Sequence, residues 1–203
     1  MSEIRDPICR ILRATRLLLV LLVLLPRSAA AATIAISLAS RADTIEIEGS
    51  AELNADPETA WRVLTDYERY VDFIPGLQES RVVARNGATV TVEQTGDVEL
   101  WKLHMPLDVT FEITEMAPTG LVSRVVAGNL RALNSRYVLT PVGNGVRLEY
   151  AGKLGSELAL FGAIERLAVK ENVARRFQAL ADEMERRSAA RRDQSSARLP
   201  LKA

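Results

Sequence analysis

The chain has 203 residues, of which 48% are hydrophobic and 26% charged. This is the composition of one globular domain with appendages, and it excludes a wholly disordered chain. Lys plus Arg and Asp plus Glu are both 26, and aromatics are only 5%, so there is no basic excess to hold nucleic acid.

At the N-terminus Arg5, Arg10, Arg13 and Arg16 precede the apolar run "LLLVLLVLL" (17–25), then Pro26 and the small-residue stretch "RSAAAA". Positive, apolar and small-residue regions in that order are the layout of a secretory signal peptide over residues 1–32. The apolar run falls short of the ~20 residues that span a bilayer. The alternative is an uncleaved anchor that extends through "AAAATIAISLA". The expectation is an exported protein of the bacterial periplasm, or one anchored to the membrane by this segment. Cleavage after Ala30 or Ala32 would remove more arginine than acid and leave the mature chain at about −3. It would also remove Cys9, the only cysteine, so the domain has no thiol chemistry and no cysteine-bound zinc.

From Thr44 the pattern becomes regular. "TIEIEGSAEL" alternates Ile45, Ile47, Gly49, Ala51 and Leu53 against Glu46, Glu48, Ser50 and Glu52, the period of a half-buried antiparallel strand. Asp56 then suits an N-cap and Pro57 the first helical turn. Ala60, Val63, Leu64 and Tyr67 follow at helical spacing. Val71 and Ile74 continue that stripe as a second short helix, which Pro75-Gly76 ends.

Six strands are expected next, punctuated by Asn86-Gly87, Pro118, Gly120 and Asn144-Gly145. In "ATVTVEQTGDVELW" one face carries Val90, Val92, Gln94, Gly96, Val98 and Leu100. In "LHMPLDVTFEITEM" it carries Leu103, Met105, Leu107, Val109, Phe111 and Ile113. "VRLEYAGKL" groups Val146, Leu148, Tyr150 and Leu154. A long amphipathic helix is expected from about Gly155 to Arg187, with Leu160, Ile164, Leu167, Ala174, Phe177, Ala181 and Met184 as its apolar stripe. Residues 188–203 show no pattern and are expected to be a disordered tail.

The fold class is therefore α+β: a curved antiparallel sheet gripping a long C-terminal helix, with two short helices after the first strand. Only that helix can cover the apolar face of the sheet, and a strongly curved sheet closed by one helix leaves room for an apolar ligand.

The chain resembles the START-like (SRPBCC, helix-grip) superfamily, in its coenzyme Q-binding and polyketide cyclase branch. The resemblance is carried by Asp56-Pro57-Glu58, Trp61, Leu64-Thr65-Asp66, Tyr70, Phe73, Pro75 and Ser80-Arg81-Val82. A second match spans Gly128 to Tyr150, and the coverage runs from about Thr44 to Arg187. The helix-grip domain is placed at residues 43–187. The resemblance implies a hydrophobic small-molecule ligand: a lipid, a quinone or a polyketide-like compound.

Candidate ligand contacts follow from the inward faces. Leu107, Phe111, Tyr150, Ile164 and Leu167 would supply apolar surface, and Tyr70 and Phe73 would pack under the sheet rim or form an entrance. Gln94 sits among apolar neighbours and needs a polar partner: a ligand carbonyl, water or a neighbouring group. The phase of "RALNSRYVLTP" leaves two readings open. One turns Arg136 inward as a cation, and the other, preferred, turns Tyr137 inward with Leu133, Ser135 and Leu139. His104, the only histidine, falls on a polar face and reads as a surface residue. No cofactor or metal is expected. A carrier is the leading reading, with a cyclase or dehydratase in the same pocket, or a membrane-tethered interaction module, as alternatives. The expected partners are the hydrophobic ligand and transient membrane contact, with no nucleic acid and a monomeric state.

Overall fold

The computed structural model describes residues 34–41, 44–100, 103–130, 133–155 and 163–197. The leader expected over 1–32, together with Trp101 and Leu160, lies outside them. In chain order the elements are β1 (Ile34–Arg41), β2 (Thr44–Leu53), α1 (Pro57–Leu64), a 3₁₀ helix (Tyr67–Asp72), β3 (Leu77–Asn86) and β4 (Thr89–Leu100). Then come β5 (Leu103–Met116), β6 (Gly120–Gly128), β7 (Leu133–Val142), β8 (Gly145–Leu154) and α2 (Ala163–Ala197). The strands form one sheet in the order β1-β2-β8-β7-β6-β5-β4-β3, and each neighbouring pair is antiparallel. The expected α+β architecture is the one observed.

β1 was not expected. Its small residues read as a continuation of the leader, yet Ile34, Ile36 and Leu38 are half-buried while Ala35, Ser37 and Ala39 are exposed. It adds to the sheet edge with Ile36 opposite Gly49. The part of the proposed anchor from Ile34 onward is therefore a strand. Among the described residues no helix is long and apolar enough to cross a membrane.

Alternation fixes the faces of the sheet. Ile45, Ile47, Val90, Val92, Val109, Val146 and Leu148 are all almost fully buried on the side that meets the helices. The opposite side is latched by charge pairs between directly opposed residues. These are Glu52–Arg147 (2.6 Å), Glu46–Lys153 (3.7 Å), Arg81–Glu93 (2.7 Å) and Glu112–Arg124 (2.7 Å). All are well exposed, so each adds at most ~1 kcal/mol. Register shifts interrupt the β3–β4 and β5–β6 ladders. Such bulges sharpen the local bend and twist.

α1 begins as its sequence dictates. The Asp56 side chain accepts from Thr59 N at 2.9 Å, and Pro57 occupies the first turn. Val63, Leu64 and Tyr67 then pack into the core with Phe177, Leu180, Ala181 and Met184 of α2.

The expected disordered tail is corrected over residues 188–197, because α2 is 35 residues long and ends at Ala197. Its last turns are held by polar contacts, which a search for an apolar stripe overlooks. Ser188 is fully buried and its Oγ accepts from the Asp56 backbone N–H at 3.2 Å. Arg191 pairs with Glu58 at 2.7 Å and Asp56 at 3.5 Å, and Arg192 donates to the Asn54 carbonyl at 3.2 Å. One turn earlier Glu183, 8% exposed, is gripped by Arg186 and Arg187, and Arg187 also reaches Asp66.

Hydrogen bonds from Arg186 lower the Glu183 pKa, burial opposes this, and Arg187 adds to the lowering. A carboxylate with a depressed folded pKa stabilises the fold above its unfolded pKa and loses that contribution as pH falls through the folded value. Glu183→Gln should therefore lower Tm by several degrees at pH 7. It should also flatten the loss of stability of the wild type below the ordinary glutamate range, as read by thermal melts between pH 3 and pH 7.

Candidate functional site

Towards the first half of α2 the helix and sheet do not close on each other. A cavity of about 290 Å³ lies there, near the lower end of the size range of small-molecule sites. Strands β4 to β8, the 3₁₀ helix and α2 all contribute walls. The apolar lining includes Ile74, Leu107, Phe111, Leu121, Val173 and Leu180, and all four tyrosines of the chain line it as well. The exposed residues Met105, Pro106 and Asn129 belong to the same lining. They set its open end at the β5 start and the β6–β7 connection.

The tyrosines divide into two pairs. The Tyr67 hydroxyl donates to Glu115 Oε1 at 3.0 Å and the Tyr70 hydroxyl to the Leu64 carbonyl at 2.7 Å. Those two are committed to the fold. Tyr137 and Tyr150 are opposite each other on β7 and β8, with ring centroids 4.9 Å apart. Neither hydroxyl has a hydrogen-bond partner among the described residues. A side chain at position 152 would collide with the Tyr150 hydroxyl and ring, so Gly152 is the clearance that lets Tyr150 lie along its own strand. Burial raises the pKa of all four phenols, with Glu115 adding to the effect at Tyr67, and Tyr150 is pushed up to about 12. At neutral pH all four are therefore protonated.

Six of the ten sequence candidates meet at this cavity: Tyr70, Gln94, Leu107, Phe111, Tyr137 and Tyr150. Gln94 finds its partner within the protein, for its Nε2 donates to Ser80 Oγ at 3.1 Å from the directly opposed position on β3. The remaining four need correction or fall outside. Arg136 is exposed on the outer face of the sheet, because β7 takes the phase that turns Leu133, Ser135 and Tyr137 inward. Phe73 is not part of the lining. It packs edge-on to Tyr70 at 5.5 Å and under the Arg187 guanidinium at 5.9 Å. Leu167 is 64% exposed. It precedes Phe177 by ten residues, about 80° short of three full turns, so the stripe drawn through both rotates off the buried face. The side chain of Ile164 lies outside the described residues.

The sequence reading missed the residues of α2 that do face the cavity: Val169, Asn172, Val173, Arg176 and Leu180. Their spacing of three and four is a helical stripe visible in the sequence. It carries a charge, which an apolar stripe does not. Arg176 is the only charged residue in the lining, which contains no His, Cys, Asp, Glu or Lys among the described residues. Its Nε and Nη2 are buried and have no hydrogen-bond partner. Burial draws its pKa down, nearby Tyr137 raises it and Arg175 lowers it further. The guanidinium stays charged at neutral pH regardless. A buried donor left unpaired costs ~1–3 kcal/mol, and more when charged.

The family model for polyketide cyclase/dehydrase and lipid transport matches residues 44–189. The chain belongs to that family. It therefore belongs to the START-like helix-grip superfamily, whose members in this branch bind hydrophobic small molecules. Comparison with curated proteins finds no match by sequence. Solved structures share the fold at low identity. A START superfamily protein from Mycobacterium smegmatis is 16% identical, covers 71% of this chain and 97% of its own, and has a TM-score of 0.57. A STAR-related lipid transfer protein from Xanthomonas axonopodis is 16% identical, with 78% and 96% coverage and a TM-score of 0.59. The Zhui aromatase/cyclase from a Streptomyces species is 15% identical, with 71% and 95% coverage and a TM-score of 0.60. Within the family fold, the cavity described above is the space between sheet and long helix.

Arg176→Met keeps the unbranched stem and removes the unpaired charge. In ligand-free protein it should stabilise the fold by ~1–3 kcal/mol, seen as a Tm higher by several degrees. A lower Tm would mean that the guanidinium is needed for packing.

Proposed function

We propose that the protein binds and carries a hydrophobic small molecule in the cavity between the sheet and α2. One observation carries this reading: the cavity wall is built mainly of aliphatic and aromatic side chains. Burial of a ligand there would contribute ~25 cal/mol for each Å² of apolar surface removed from water. The free hydroxyls of Tyr137 and Tyr150 would orient it. The leader-like N-terminus supports export to a bacterial periplasm, with a retained membrane anchor as the alternative, and N-terminal sequencing of the protein from fractionated cells decides between them. Arg176 beside Tyr137 also supports a second reading. Two donors of that kind can polarise a carbonyl, as a cyclase or dehydratase would require. Turnover of a polyketide-like substrate that is lost in Tyr137→Phe, with ligand affinity retained, would favour the enzyme.

For the carrier, solvent extraction and native mass spectrometry of freshly purified protein should reveal a co-purifying apolar compound. Val173→Trp, which fills the cavity from α2, should weaken binding of fatty acids, sterols or quinones at least tenfold and keep the fold cooperative. Wild-type protein that carries no such compound, and whose Tm none of these ligands moves, would sink the carrier reading.

A further inference from the structure

We propose that Arg176 is a head-group site for a carboxylate, so that the ligand is an anionic amphiphile of the fatty-acid class and not a neutral lipid. The inference rests on the cavity being a ligand site, as proposed above. It follows from which atoms of Arg176 lack a partner. Nε and Nη2 are the two nitrogens along one side of the guanidinium, and their N–H bonds point the same way. That side is the fork that takes both oxygens of a carboxylate at once. The chain uses the same fork elsewhere. Arg186 holds Glu183 with Nε at 2.6 Å and Nη2 at 2.7 Å, one to each carboxylate oxygen. On Arg176 the equivalent pair is buried and empty-handed.

Among the described residues none is placed to fill it. The lining contains no Asp or Glu among the described residues. Arg187 offers a contrast, for it too has a buried Nη2 without a partner, but its Nε is bound to Glu183 and its Nη1 to Asp66. Among the described residues only Arg176 leaves a whole buried edge unused.

The neighbours of Arg176 suit the same head group. Asn172 lies four residues earlier, on the same side of α2, and lines the cavity. Tyr137 is close enough to act electrostatically on the guanidinium, and its hydroxyl is a free donor. With the Arg176 fork turned into the cavity, an arginine edge, an amide and a phenol would offer hydrogen to one oxyanion, while Leu107, Phe111 and Ile113 would receive the apolar body. A neutral alcohol or ester of equal length would fill the same apolar space and leave the charged fork unsatisfied. Selectivity is large when a site's buried donors are stranded by the wrong ligand.

The test compares decanoate, decanol and methyl decanoate by isothermal titration against the delipidated full chain, at neutral pH. Wild type should prefer decanoate by tenfold or more. Arg176→Gln should abolish that preference and keep decanol affinity within about twofold. Arg176→Lys, which keeps the charge and loses the fork, should fall between. Equal binding of all three probes by wild type, or an undiminished preference in Arg176→Gln, overturns the head-group assignment and leaves the carrier reading standing. Failure of wild type to bind any of the probes overturns the assignment. If sterols and quinones also fail to bind, the carrier reading falls with it.

Discussion

One face of the eight-stranded sheet is wider than one helix, and among the described residues only one long helix covers it. Where α2 seats fully, Phe177, Leu180, Ala181 and Met184 are almost completely buried, each of the larger ones contributing ~1.5–3 kcal/mol through burial. Nearer the start of the helix, Val169 and Val173 are only partly buried, and the cavity opens beside them. The cavity is thus the remainder of a covering problem. If it were dry and apolar throughout, a void of about 290 Å³ would cost at most ~7 kcal/mol at ~24 cal/mol per Å³. That is comparable with the whole net stability of a typical domain. A ligand that fills the space therefore acts on stability as well as on function.

The polar groups at the cavity show the same economy. Tyr67 and Tyr70 spend their hydroxyls on Glu115 and Leu64, and Gln94 spends its amide hydrogen on Ser80. These groups tie walls together. Tyr137, Tyr150 and one edge of Arg176 spend nothing on the protein. A core selected for stability alone would not keep a charged edge without a partner, because apolar replacement of such groups is often neutral or stabilising.

Most of the fold was legible because it rests on local rules. Period-two alternation located β2 to β8, Asp56-Pro57 located α1, and Asn-Gly pairs located two turns. Features that rest on tertiary partners were not legible. β1 has small residues, and only its pairing with β2 makes it a strand. The last turns of α2 are polar, and Asn54, Asp56, Glu58 and Thr59 across the interface hold them. The site divided along the same line. Strand parity gave Gln94, Leu107, Phe111, Tyr137 and Tyr150 their inward faces. On a long helix a small error in phase accumulates, so Leu167 was expected inside and the stripe through Arg176 went unread. A charge on a buried stripe conflicts with the expectation that such stripes are apolar, and at Arg176 the conflict is itself the signal of a site.

The greasy segment from Tyr70 to Gly76 belongs to this division. Tyr70 closes one wall of the cavity, but its hydroxyl is tied back to Leu64. Phe73 is pinned between Tyr70 and the Arg187 guanidinium, and Arg187 is in turn tied to Glu183 and Asp66. Gly76 adopts a φ of 74° that favours glycine, and its carbonyl accepts from the Asp97 N–H at 2.7 Å. An element fastened at each of these points is a poor gate.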